Sequence, residues 1–219
     1  VDLRLHGESL DAAPPHTLRA CAEDLQALEL PYPVTSVIGH SFGGKVGLEY
    51  AALRAAEGAP LEHLWVLDSV PGARPDRSGS EAIADVLAAL RTVPKSHPSR
   101  GRFVSALEDA GLTRPIAQWL AMSVERTDEG VRYPIDLDAI ESVLTDYFAA
   151  DRWDAVSSAR QTHLVIGTHS PVYAPADQAR ADALAEGNDA IHVHRLPAGH
   201  WLHVESPAAL QALFDPVFG

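Results

Sequence analysis

The sequence contains a single cysteine, Cys21, in 219 residues, which excludes an internal disulfide and a cysteine-built zinc site. It has no apolar run near the ~20 residues that a membrane-spanning helix requires. Basic residues are scarce: 17 Lys and Arg stand against 30 Asp and Glu, a formal charge of -13. That balance argues against nucleic acid or an anionic membrane as partner and leaves a small neutral molecule open. Aromatic residues make up only 6% of the chain. Repeats and low-complexity tracts are lacking. No targeting segment is visible, though any such segment would lie upstream of Val1. The expectation is a chain of a reducing, cytoplasmic compartment. With 46% hydrophobic residues it can bury a substantial core in one domain and still carry an insertion.

What is present centres on Gly39-His40-Ser41-Phe42-Gly43. A β-rich run, residues 34–38, precedes it, and an alanine-rich helical segment, residues 43–57, follows. A hydroxyl becomes a useful nucleophile when it sits on a sharp strand-to-helix turn. Gly39 and Gly43 are expected to relieve the crowding of such a turn, because a Cβ there would meet neighbouring backbone. The amide of Phe42, at the positive end of the helix, is the expected donor to an oxyanion formed at Ser41.

The rest of the chain reads as alternating strands and helices around a helical insertion. Helical spacing predicts a helix over residues 16–30, capped by Thr17. A buried-type strand over 61–67 ends at Asp68. Residues 71–80 read as loop. Helices are expected at 81–91, 98–110, 113–123 and 136–149, with a short strand pair near 124–134. Strands resume at 162–167 and 190–196, with a helix at 175–186 between them. A final helix starts at Ser206-Pro207, read as a serine cap with proline in the first turn. This order implies an α/β fold with a mostly parallel sheet. The expected division is a core of residues 1–71 and 151–219 and a helical cap of residues 72–150.

A serine needs a base, and the base needs an orienting acid. Of 11 histidines, His200 is the candidate base. It follows the last strand, at the rim where open α/β sheets bind ligands. His203, nearer the next helix, reads as structural. Asp68 ends the strand after the nucleophile helix and is the candidate acid. The other common place for the acid, after the strand at 162–167, carries Ser170; Asp177 and Asp182 nearby read as exposed helix residues. His192 and His194 alternate on one strand and read as surface residues. His40 is expected to pack beside the site. Lys45 lies in the first turns of the elbow helix, where a cation is disfavoured; a salt bridge, a place near the active-site mouth and a solvated side chain are all open.

Asp2-x-Arg4-x-His6-Gly7-x-Ser9, GHSFGGK, VLDSVPG and PAGHWLHVESP, taken in this order, resemble the α/β-hydrolase superfamily. Within it the chain is similar to small esterases with a GHSxGGK elbow, a group that includes the human α/β-hydrolase-domain-11 type and bacterial short-acyl esterases. Arg132-Tyr133-x-x-Asp136-Leu137-Asp138-Ala139-Ile140 looks like the same subgroup. The resemblance implies an α/β-hydrolase fold and Asp68 as the acid. It further implies a Ser-His-Asp triad that cleaves carboxylic esters or thioesters without metal or organic cofactor. Carbon–carbon bond hydrolases and cofactor-free haloperoxidases or perhydrolases share such a triad, and a non-catalytic ligand-binding protein of the same fold is the reading from another class. Phe103, Trp119, Met122 and Tyr133, with His40 and Trp201, are the candidate substrate-contacting residues, and core packing competes for most of the first four. Short or medium acyl chains are favoured.

Gly7 precedes Ser41 by 34 positions, which by the resemblance makes His6-Gly7 the end of the fourth strand. Residues 1–9 are therefore expected to close a strand, and the first three strands of the fold to be missing from this chain. The strand before Ser41 would then lack one ladder neighbour. A separate chain or lost upstream residues would complete the sheet and supply the second oxyanion donor.

Overall fold

A computed structural model describes residues 1–78 and 81–219, without the side chains of Glu81 and Ala82. The last two residues of the expected loop 71–80 thus lie outside the described residues. The chain divides into two compact units, one of Thr17–Gly79 and Thr145–Gly219, the other of Val1–His16 and Ser80–Leu144. The expected boundaries differ from this division. Residues 1–16 group with the insertion, and residues 72–79 and 145–150 group with the sheet. In chain order the first unit begins with α1 (Leu18–Gln26), β1 (Ser36–His40), α2 (Phe42–Ala56) and β2 (His63–Leu67). There follow α3 (Glu81–Thr92), β3 (Ser96–His97), α4 (Arg100–Asp109), α5 (Arg114–Leu120), β4 (Glu125–Thr127) and β5 (Gly130–Arg132). The helix α6 (Leu137–Ala149) leads back to β6 (Gln161–Gly167), α7 (Pro175–Gly187), β7 (Ile191–Leu196), α8 (Leu202–Glu205) and α9 (Pro207–Phe218).

The sheet unit holds four parallel strands in the order β1-β2-β6-β7. Its interior strands are near-continuous apolar runs, as burial on both faces demands. On one face, Leu48, Ala51 and Leu53 of α2 pack with Leu64, Val66, Leu164 and Ile166. On the other, Trp65, Leu67 and Val165 pack with Leu202, Leu210 and Phe214. β1 is at the sheet edge, with Ile38 48% exposed. Pairing of His40 with Leu67 carries β1 to residue 40, two beyond the expected end of the strand. The helix α1 stops at Gln26, short of the expected residue 30, and Thr17 caps it by accepting from the Ala20 amide.

The other unit is not helical throughout. A three-stranded antiparallel sheet, β3-β5-β4, extends the expected strand pair by one strand. Its core gathers Leu87, Leu90, Phe103, Leu107, Leu120 and Tyr133. Residues 1–9 form turns where a strand end was expected. Leu5 donates to the Ser9 carbonyl and His6 to that of Leu3, while the Asp2 carboxylate accepts from the Glu8 amide. Among the described residues no helix is long and apolar enough to cross a membrane.

Candidate active site

Ser41 lies between the end of β1 and the start of α2 with φ 53 and ψ -118, a strained backbone for a residue bearing a Cβ. Its amide donates to the Leu67 carbonyl (2.9 Å), and the Gly44 amide donates to its own carbonyl (2.9 Å). Close approach explains Gly39, where a Cβ would stand 2.1 Å from the Gly43 carbonyl oxygen. It does not explain Gly43, whose added Cβ would meet nothing within 4 Å. The second tight position is Gly44, where a Cβ would come within 2.6 Å of the Ser69 Cβ.

His200 occupies the loop between β7 and α8. Its Nε2 is 2.9 Å from Ser41 Oγ, and its Nδ1 is 2.7 Å from Asp68 Oδ2. Asp68 is fully buried with φ 43, and the His200 side chain is about one quarter exposed. Asp68 also accepts from the Gly167 amide at Oδ1 (3.1 Å) and from the Ser170 hydroxyl at Oδ2 (2.5 Å). A carboxylate that accepts from all three partners requires Nδ1 of His200 to carry its proton. Nε2 is then left to accept from the Ser41 hydroxyl. Phe42 is the first residue of α2 and directly follows Ser41, so its amide lies at the positive end of the helix.

His40 stacks beside this arrangement, its ring 4.7 Å from that of His200, 5.6 Å from Trp201 and 5.3 Å from His203. Its Nε2 donates to the His200 carbonyl (2.7 Å), and burial lowers its pKa, so the ring is neutral near pH 7. Trp201 is 46% exposed beside His200. The loop is held from below by Glu205, which accepts from the amides of Gly199 (2.7 Å) and Trp201 (3.3 Å). Ser206 is the N-cap residue of α9 with Pro207 in the first turn, as expected, but its hydroxyl makes no capping bond; it donates to the Pro197 carbonyl (3.1 Å) and so braces the same loop. Sequence reasoning did not single out Glu205.

The remaining candidates fall elsewhere. Phe103 and Tyr133 belong to the other unit and are buried in its core, stacked at 5.4 Å. They take the core packing that competed with substrate contact. Trp119 and Met122, in the same unit, are 55% and 71% exposed. His192 and His194 are not plain surface residues. They stack with His163 against Trp65, whose ring is 3.7 Å from that of His163 and nearly parallel to it. Burial and the neighbouring imidazoles lower the His163 pKa to about 3. Among the described residues no group of three or more His, Cys, Asp or Glu could hold a metal ion.

Solved structures with the same architecture include a marine microorganism esterase (TM-score 0.78, 24% identity, 98% of this chain and 82% of that one). A thioesterase domain from the curacin biosynthetic pathway also matches (0.66, 20%, 98% and 79%). So does a meta-cleavage product hydrolase (0.61, 18%, 99% and 78%). At these identities the likeness is one of fold. No curated protein sequence matches the chain. The model of the alpha/beta hydrolase family matches residues 1–213, and the chain belongs to that family.

Proposed function

We propose that the protein is a serine hydrolase that cleaves carboxylic esters or thioesters of short to medium acyl chains. What supports this reading is one unbroken series of contacts: Ser41 Oγ to His200 Nε2 at 2.9 Å, and His200 Nδ1 to Asp68 Oδ2 at 2.7 Å. The GHSFGGK elbow supports the narrower placement among small esterases of that type.

In the first half-reaction Ser41 Oγ bonds to the acyl carbon while its proton passes to His200 Nε2. The carbonyl oxygen takes the negative charge, and the Phe42 amide donates to it. Collapse breaks the bond to the leaving alkoxide or thiolate, which takes the proton from His200. Water then attacks the acyl-enzyme, His200 removes its proton, and the acid leaves as Ser41 is restored. Asp68 keeps the His200 tautomer and faces the imidazolium that forms in each half.

A fluorophosphonate probe tests the nucleophile. Labelling of the wild type at Ser41, lost in Ser41→Ala, is expected; a folded wild type that takes no label overturns the reading. A series of p-nitrophenyl esters and acyl thioesters from two to twelve carbons, on the order of the sizes a modest pocket admits, then fixes acyl length and leaving group. Cleavage of a carbon–carbon bond with no ester or thioester turnover would select that alternative instead.

A further inference from the structure

Lys45 is the fourth residue of α2 and its side chain is fully buried. A cation there faces two penalties, loss of hydration and the positive end of its own helix. Among the described residues no carboxylate is within ion-pair distance of it. Its Nζ donates instead to three backbone carbonyls: Gly72 (2.9 Å), Tyr147 (2.9 Å) and Ala150 (3.1 Å). The Tyr147 ring adds a cation–π contact at 4.5 Å.

Those three acceptors belong to two segments. Gly72 is four residues beyond Asp68, on the loop that leaves β2. Tyr147 and Ala150 are at the end of α6, where carbonyls lack helical partners and the dipole is negative. A positive charge unwelcome at the start of α2 is therefore welcome at the end of α6. The two segments are also tied directly: Arg74 donates from its amide to the Phe148 carbonyl (2.7 Å), and Arg152 from its amide to that of Pro71 (2.8 Å). Lys45 joins this pair to the helix that begins at Phe42, and the Phe42 ring lies 5.6 Å from that of Tyr147.

We propose that Lys45 is a positioning residue for the hydrolase reaction: its ammonium fixes the nucleophile helix against the loop that follows Asp68 and against the end of α6. The proposal rests on the hydrolase reading above. An ammonium has three N–H groups for three carbonyls. A neutral amine has two, and its lone pair would face the third oxygen. Burial, with Arg74 and Arg152 nearby, lowers the pKa of Lys45 to about 7, while Asp151 and Asp146 oppose the shift. The clamp therefore loses a donor as pH rises through about 7.

The sign of the accompanying stability change is opposite. Between about 7 and the unfolded value of 10.5 the unfolded chain holds the proton more tightly, so stability rises with pH in that window. Turnover that falls while stability rises is not explained by unfolding.

The test measures kcat, KM and fluorophosphonate labelling of the wild type, Lys45→Met and Lys45→Arg from pH 6 to 9, with unfolding midpoints at each pH. The expected Lys45→Met protein folds cooperatively, keeps KM within about twofold and loses roughly 10- to 100-fold in kcat and labelling rate, a misalignment penalty of the kind small displacements carry. The wild type is expected to show a limb of falling kcat as pH rises through about 7, absent in Lys45→Arg, whose guanidinium does not titrate there. A Lys45→Met enzyme with wild-type kcat, or a wild type without that limb, overturns the proposal. If Lys45→Met does not fold, the wild-type limb decides alone. A folded wild type that takes no label and turns over no ester or thioester defeats the hydrolase reading first, and the proposal with it.

Discussion

Ser170 Oγ donates to Asp68 Oδ2 at 2.5 Å, the same oxygen that accepts from His200 Nδ1. The hydroxyl and the Gly167 amide satisfy the buried carboxylate from two sides, so its orientation does not depend on the histidine alone. Replacing the charge is expected to cost far more than removing the hydroxyl. Asp68→Asn should lower kcat about 10⁴-fold through the wrong imidazole tautomer. Ser170→Ala should cost about tenfold, one hydrogen bond to a charged group. Asp177→Asn, whose carboxylate accepts from the Ala174 amide, should leave kcat unchanged. Initial rates on one ester for the three variants check the order.

The elbow glycines divide in a way that the motif does not announce. Gly44→Ala places a Cβ 2.6 Å from that of Ser69, which is fully buried behind Asp68, so the helix or the acid loop must move. Overpacking of that kind costs about 1–3 kcal/mol and should reduce kcat as well. Gly43→Ala meets open space and lies in the first turn of a helix, where alanine is favoured. It should be neutral or stabilise by up to about 1 kcal/mol. Urea unfolding of both variants separates them.

The parts of the site that are local in sequence were legible there. Ser41 is announced by its flanking strand, helix and glycine at 39, and His200 and Asp68 by their places at strand ends. Lys45 was not, because its burial is decided by carbonyls 27, 102 and 105 residues away. Alternation told only that His192 and His194 share a face. The register that sets His163 beside His192, and Trp65 beside His163, converts that face from surface to stack. The motif resemblance points to a strand end at residues 1–9, yet the amides of Leu5, His6, Glu8 and Ser9 donate within the segment, to the carbonyls of Ser9, Leu3 and His6 and to the Asp2 carboxylate.

The histidine stack is expected to make the sheet unit sensitive to acid. His163 is buried against Trp65, and the charges acting on it come from His63 on β2 and from His192 and His194 on β7. Its pKa of about 3 in the folded chain is below the unfolded 6.5, so between these values the unfolded state binds more protons. The stabilising contribution is complete above about 6.5 and is lost as pH falls toward 3. His163→Phe keeps the ring stack and removes the proton site. The expected result is a flatter fall of the unfolding midpoint between pH 6.5 and 4 than in the wild type, measured by the loss of helical circular dichroism with temperature.

Glu205 supplies a test of how much the His200 loop depends on its brace. Its two carboxylate oxygens accept from the amides on either side of His200, those of Gly199 and Trp201, while the residue itself is exposed. Hydrogen bonds to a charged acceptor are worth more than neutral ones, but exposure lets water replace them when the side chain goes. The global cost of Glu205→Ala should accordingly stay near or below about 1 kcal/mol. The local cost is different in kind, because the freed amides let the loop sample positions in which Nε2 is no longer 2.9 Å from Ser41 Oγ. We expect kcat to fall about 5- to 30-fold with KM little changed, a range set by the ~1–2 kcal/mol of two partly exposed hydrogen bonds. Glu205→Gln, which keeps one acceptor oxygen, should fall between the alanine variant and the wild type. Equal rates for all three would show that Ser206 and His40, through the carbonyls of Pro197 and His200, hold the loop without Glu205.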